Sequence, residues 1–293
     1  MSLALSLEMR DRSVRAMWLG DALMSHRAAE TMGNVVLEFQ RLLDPEGVTN
    51  RRYHRLQRRT YISKGPNFLI HIDGYDKLKP YGFAIHGAIC GYSRRILWLN
   101  VANTNNDPAV VASYFMGYVK EIKGVPRCLR CDAGTENVLI EDIQKAFLWH
   151  HNNDETAERC VVIGSSKSNQ RIEQWWRWAR QRGCQFWMNT FAELQMVSDD
   201  PLNVDLTRFC FMALIQRDLD NIRVEWNQHS PRPNRQSETP CGKPDILFHL
   251  PRLYDTVDYK VEVDMTDVEN ITREWCTVPK PSGCSDDLDQ SLT

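Results

Sequence analysis

The sequence predicts an α/β fold: a mixed five-stranded sheet, three antiparallel strands and then two parallel ones, covered by helices on both faces. Three observations carry that expectation. From Gly65 onward, three short apolar runs follow one another with only tight-turn residues between them. After Asp107 the pattern becomes helix, strand, helix, strand, helix, the alternation that builds parallel strands through crossovers. The 293 residues are also 42% hydrophobic and 25% charged, an ordinary globular balance with enough chain to bury a core.

Each element has its own justification. Residues 1–48 keep apolar side chains at three- and four-residue spacing and predict a helical extension that Asp44-Pro45-Glu46-Gly47 ends. "NRRYHRLQRRTY" (50–61) follows as a basic connector with five arginines and no acid. "NFLIHID" (67–73), "FAIHGAI" (83–89) and "ILWLNVA" (96–102) are apolar or alternating runs joined by short turns, an antiparallel meander. Pro108 suits the first turn of a helix reaching about Ile122. "RCLRC" (127–131) reads as a strand, "TENVLIEDIQKAFLWH" (135–150) as a helix and "CVVIG" (160–164) as the last strand. The polar stretch "SSKSNQ" leads into a long helical segment interrupted near Gly183, and a second long helix spans 206–229. Beyond Leu250 the signal fades into an acidic tail expected to be loosely ordered. The order βββ-α-β-α-β-α points to a ribonuclease-H-like fold, with a helical N-terminal extension (1–61), a core (62–230) and an acidic C-terminal extension (231–293).

Charge and composition narrow the function classes. The formal charge of −2 advertises no polyanion partner, but residues 251–293 hold ten acids against four bases, which leaves the first 250 residues net positive. No run approaches the roughly 20 apolar residues of a membrane-spanning helix. The opening "MSLALSLEMRDR" meets charge too early for a secretory signal, so an intracellular chain is expected, not a secreted one. Nine scattered cysteines read as reduced thiols. Cys128 and Cys131 form a CxxC, yet three-residue spacing on a strand turns them to opposite faces, and no second pair completes a zinc site.

The carboxylates are the candidate chemistry. Alternation puts Asp73, at the end of the first strand, on the side of Leu69 and His71 and opposite Phe68, Ile70 and Ile72. Asp132 follows the fourth strand, and ligand sites of open α/β sheets lie at such carboxyl ends. Glu173 sits in the first turns of the next helix, sharing a face with Arg177 and Arg180. Converging carboxylates repel one another, and hard divalent cations neutralise them; Mg2+ prefers such oxygen ligands. The alternative is that each acid merely caps a turn. Asp76, Glu136, Glu141 and Asp142 read as exposed turn and helix positions, His71 and His86 as hydrogen-bonded core residues. Trp175, Trp176 and Trp178 give their helix a buried face, though an exposed member could stack on a base.

Four stretches carry a resemblance. "LIHIDGYDKLKPYGFAIHGAICGYSRRILWLNV", "CLRCDAGTEN", "SNQRIEQWWRWAR" and "VEWNQHSPRPNRQSETPCGKPDILF" occur in the order of the blocks of the retroviral and retrotransposon integrase catalytic core, covering roughly residues 62–248. The likeness is nearest to integrase-core proteins encoded in eukaryotic genomes. It implies a ribonuclease-H-like fold and a catalytic, metal-holding triad of Asp73, Asp132 and Glu173 binding two Mg2+ or Mn2+ ions for DNA cleavage and strand transfer. It also implies DNA contacts at Asn169, Gln170, Arg177 and Arg180. The arginines Arg51, Arg52, Arg55, Arg58 and Arg59 would add sequence-independent backbone binding, or serve as a solvated connector or nuclear localisation signal. The chain differs from the retroviral pattern at Ala133, Asn137 and Gln170. It has no His/Cys zinc module before the core and no basic barrel after it.

The expected partner is therefore DNA, with a homo-oligomer by analogy and a nuclear or cytoplasmic location. Two other classes compete with the transferase: a domesticated, catalytically silent DNA-binding or scaffold protein with the same fold, and a nuclease acting on RNA–DNA hybrids. The Trp-Asn…Arg-Pro…Thr-Pro block favours the integrase branch over the latter.

Overall fold

The computed structural model describes residues 35, 38–39, 42–52, 63–149, 159–164, 169–197, 200–231 and 239–284. The chain forms two compact units, Met1–Arg59 and Thr60–Thr293. In the first, helix α1 spans Pro45–Arg52. The expected stop at Asp44-Pro45 is thus a restart: Leu42 and Leu43 are helical, Asp44 interrupts, and Pro45 opens the next helix, with Asp44 O accepting from Val48 N. Arg51 and Arg52 end a helix rather than lying in a connector. Most of the expected 1–48 helix lies outside the described residues, as do Arg55, Arg58 and Arg59.

The second unit is built on five strands: β1 (Ile70–Tyr75), β2 (Ala84–Cys90), β3 (Ile96–Ala102), β4 (Leu129–Cys131) and β5 (Val161–Ile163). Their spatial order is β3-β2-β1-β4-β5; β1 to β3 pair antiparallel, while β4 runs parallel to β1 and β5 parallel to β4. This is the ribonuclease-H-like arrangement. Helix α2 (Pro108–Ile122) starts on Asp107, whose carboxylate accepts from Ala109 N. A 3-10 turn at Thr135–Asn137 leads into α3 (Val138–Trp149). Helix α4 (Gln170–Ala179) runs through one π turn, Arg180–Cys184, into α5 (Gln185–Glu193). The interruption near Gly183 is therefore this π turn. A Cβ at Gly183 would meet Ile222 Cδ1 at 2.6 Å, so the glycine lets the next helix approach closely. That helix, α6 (Pro201–Gln228), begins before the expected residue 206 because Asp200 caps it at Leu202 N and Pro201 occupies its first turn.

Alternation on β1 sorts the cores. Ile70 and Ile72 join Val111, Phe115, Ile140, Phe147, Leu247 and Val268 on one face. Tyr75 joins Phe83, Ile85, Leu99, Trp175, Trp176, Trp187, Phe191 and Ile215 on the other. Both faces are covered, as apolar strands this short require.

Edge strand β3 is closed by side chains of α6. The Asn227 amide accepts from Ile96 N (2.8 Å) and donates to Ile96 O (3.0 Å). Gln216 accepts from Val101 N (3.0 Å) and donates to Leu99 O (3.1 Å). Two carboxamides thus imitate a sixth strand and satisfy an edge that would otherwise be open. Arg94, left-handed at φ 64 in the β2–β3 turn, donates to Thr239 Oγ1 and Pro240 O, while Trp226 Nε1 donates to Arg94 O at 2.6 Å.

Residues 239–284 are ordered, and beyond Leu250 this contradicts the expectation of a loose tail. They form α7 (Pro244–His249), a 3-10 turn (Pro251–Tyr254) and α8 (Met265–Trp275), and Val261 bridges Val125. Leu247 and Val268 are fully buried, and Arg95 holds Asp245 at 2.9 Å while its guanidinium lies over Phe248. The acids Asp255, Asp258, Glu262, Asp264, Asp267, Glu269 and Glu274 are exposed, while Leu247, Phe248 and Val268 enter the core and Val261, Val263, Met265 and Ile271 pack against it.

Candidate active site

Strand β1 runs two residues past Asp73, because Gly74 and Tyr75 go on pairing with His86 and Ile85 of β2. The strand-end placement holds only on the other side. There β1 pairs with β4 at Ile70–Leu129 and His71–Arg130 and no further. Continuing that register by two residues brings Asp73 level with Asp132, the residue after β4. The two acids are lateral neighbours where parallel strands part, the cleft position of an open α/β sheet.

Parity gives them the same face. Cys131 and Leu129 join the core of Ile70 and Ile72, which turns Asp132 and Asp73 to the opposite side, where α4 packs. Helix α4 is fastened there by Asn169, which is buried: its amide donates to Ile72 O at 2.9 Å and its oxygen meets His71 Nδ1 at 2.6 Å. Because the amide nitrogen faces a carbonyl, the oxygen faces the ring, so His71 donates from Nδ1. Burial pushes the His71 imidazole down to about 3, which keeps it neutral. Asn169, expected to contact DNA, is buried with both ends of its amide engaged inside the protein. From this anchor Glu173 falls in the first turn of α4, near enough for its charge to act on Asp73.

Electrostatics register the approach. Burial pushes the Asp73 carboxyl up to about 7; the Trp176 indole opposes the rise, and the neighbouring Glu173 and Asp132 carboxylates add to it. Trp176 Nε1 donates to Asp73 Oδ2 at 2.9 Å. Its ring stacks on Tyr75 with centroids 5.0 Å apart, above Gly87, the partner of Asp73 on β2. A Cβ on Gly87 would lie 3.0 Å from Trp176 Cη2.

Asp132 is held by a different donor. Asn137, buried in the 3-10 turn, donates to Asp132 Oδ1 (3.2 Å) and to Glu136 Oε1 (3.1 Å). Glu136 folds back over Gly134, where a Cβ would come within 2.0 Å of Oε1. Glu136 is therefore part of the acidic cleft, not a detached turn residue. Trp176, Asn137, Glu136 and His71 are the site residues that sequence reasoning missed as such. The one available signal was the departure at Asn137, a polar residue where the retroviral pattern has an aromatic.

Gln170, Arg177 and Arg180 are exposed. Arg180 is bonded to Gln185 Oε1 at 2.7 Å, and Arg177 makes no ion pair among the described residues. Trp175 and Trp176 are buried, while Trp178 packs on Trp226 and His229.

The donors suit a hard divalent cation. They are carboxylate oxygens only, and the buried, like-charged surroundings of Asp73 disfavour its ionised form until a positive charge arrives. Among the described residues, however, no three His, Cys, Asp or Glu side chains are already arranged to hold a metal ion. Asp132 in particular is engaged by Asn137.

No helix among the described residues is long and apolar enough to cross a membrane. No curated protein matches the chain. A family model described as Integrase core domain matches residues 60–247, most of the second unit. Members of that family are integrase- and transposase-like polynucleotidyl transferases that bind DNA and typically use divalent metals. The match spans both the parting strands and the helix packed over them, and the chain belongs to the integrase core domain family, as a catalytic core of the retroviral type.

Proposed function

We propose that the protein is a metal-dependent polynucleotidyl transferase that cleaves DNA ends and joins them to target DNA, with Asp73, Asp132 and Glu173 as its catalytic acids. The observation that carries this reading is Asp73: a carboxyl in the middle of a strand, raised by burial and by the charges of Glu173 and Asp132. A fold keeps such an arrangement at a cost to its own stability, which is the mark of a functional site. In the first step water attacks the phosphorus of a phosphodiester and the 3′-oxygen departs, taking a proton. In the second, that 3′-hydroxyl attacks a target phosphodiester in line, one P–O bond forming as another breaks.

The acids would hold two Mg2+ or Mn2+ ions, which when bound supply electrophilic stabilisation of the attacking and leaving oxygens. The protein's own residues orient and bind. Asn169 sets the start of α4, Trp176 and Asn137 hold two of the carboxylates, and Gln170, Arg177 and Arg180 lie on the exposed side of the same helical segment for contact with the phosphate backbone. The Arg51–Arg59 cluster adds sequence-independent affinity. Assembly as a homo-oligomer and work in the nucleus belong to the same reading, by analogy with the family.

The grip of Asn137 on Asp132, with no preformed cluster of ligands among the described residues, favours one other reading: a catalytically silent DNA-binding protein that keeps the fold. Strand transfer with Mn2+ separates them. Activity should be measurable in the wild type and fall at least about 100-fold in Asp132→Asn. Undiminished activity in that variant would refute the assignment. Tight DNA binding with no Mn2+ uptake in the wild type would select the silent protein.

A further inference from the structure

We infer that Trp176 is a positioning residue of the site, whose indole N–H sets the orientation of the Asp73 carboxylate for cation binding. The inference rests on the reading of Asp73 as a metal-holding acid. Its own evidence is geometric. A carboxylate held at Oδ2 by a 2.9 Å hydrogen bond, with a further hydrogen bond from the Gly74 backbone, is restricted in orientation, and with it the direction of Oδ1. The donor is itself closely packed: Trp176 is 4% exposed, stacked on Tyr75 and seated against Gly87, where a Cβ would lie 3.0 Å from its ring. An indole N–H is a neutral donor with no acceptor capacity and no charge to compete with an arriving cation. A lysine or arginine in its place would hold the same oxygen but repel the ion.

The neighbouring residue supplies the contrast. Trp175 lies on the same helix and is 2% exposed, but its buried Nε1 has no hydrogen-bond partner among the described residues. Two adjacent buried indoles therefore differ in one respect that matters here. One is spent on packing, while the other is also aimed at a carboxylate. Orienting partners of metal ligands commonly contribute 10- to 100-fold in metal affinity, roughly.

The matched pair Trp176→Phe and Trp175→Phe, in the full chain, tests this by calorimetric titration with Mn2+. Trp176→Phe should bind Mn2+ about tenfold more weakly, and Trp175→Phe within about twofold of the wild type. Equal losses in both variants, or no loss in Trp176→Phe, would overturn the inference. A second measurement needs no variant to fold as well as the wild type. Among the indole N–H resonances of the nine tryptophans, that of Trp176 should move on addition of Mg2+ and that of Trp175 should not. An unmoved Trp176 resonance in protein that takes up Mg2+ would also overturn it. Wild-type protein that takes up neither ion would instead overturn the metal-holding role of Asp73, and the inference with it.

Discussion

The two sides of the sheet's central hairpin use polar side chains in opposite ways. At the β3 edge, Gln216 and Asn227 meet backbone donors and acceptors one for one, and each bond removes a liability. Where β1 and β4 part, acids are gathered near one another and held by the neutral donors of Trp176 and Asn137. The first arrangement stabilises the fold; the second strains it. Motif residues that look equally special in a sequence thus divide into those that close the architecture and those that keep a cleft charged. Trp226-Asn227, Arg94 and Thr239-Pro240 belong to the first group, and Asp73, Asp132 and Glu173 to the second.

The largest effect should come from breaking the edge. Asn227→Ala leaves Ile96 N and O buried without partners and should cost about 2–4 kcal/mol in urea unfolding. Unchanged stability would mean that water or another group replaces the carboxamide and that the edge is not closed by α6. A smaller effect of opposite sign should follow at the cleft. The Asp73 carboxyl, near 7 in the folded protein against an ordinary 3.8, retains a proton that the unfolded chain releases. Its contribution to metal-free stability is therefore full below about pH 4, declines as pH rises to about 7, and is absent above that. Asp73→Asn should flatten this decline and raise metal-free stability at pH 8 by roughly 1–3 kcal/mol. The buried His71 and His86, pushed down to about 3, act the other way, contributing stability at neutral pH that is lost on acidification. Comparing variant with wild type across pH removes their common contribution. A variant less stable than wild type at pH 8 would mean the carboxylate is not strained. The smallest effect is expected from Gly134→Ala. Its Cβ takes the place of the Glu136 carboxylate, whose flexible arm can swing away, so stability should change by less than about 1 kcal/mol. The side-chain amide resonances of Asn137 should nevertheless shift. If they do not, Glu136 is not held as described.

Much of this was legible because alternation is a local property. The face of Asp73 follows from Ile70 and Ile72 being apolar, and the helix at Pro108 from an Asp-Pro start. What was not legible depends on residues distant along the chain. The extension of β1 through Tyr75 is set by pairing with β2, and the order of residues 251–284 by Val261 meeting Val125 and Val268 entering the core. Acidic composition suggested disorder there, but a few well-placed apolar residues outweigh it. The donors to Asp73 and Asp132 were hidden for two different reasons. Trp176 looked like one more apolar position on an amphipathic helix, since its role lies in a single N–H reaching another element. Asn137 is only five residues from Asp132, yet the 3-10 turn that brings them together carries no strong sequence signal.

The borrowed edge has a bearing on how this molecule fails under stress. Since two carboxamides on one helix stand in for an entire strand, peeling back the last turns of α6 uncovers a ready template for another chain while the rest of the domain is still intact. Clumping on heating should then begin below the temperature of global melting and follow the fraying of a single helix end.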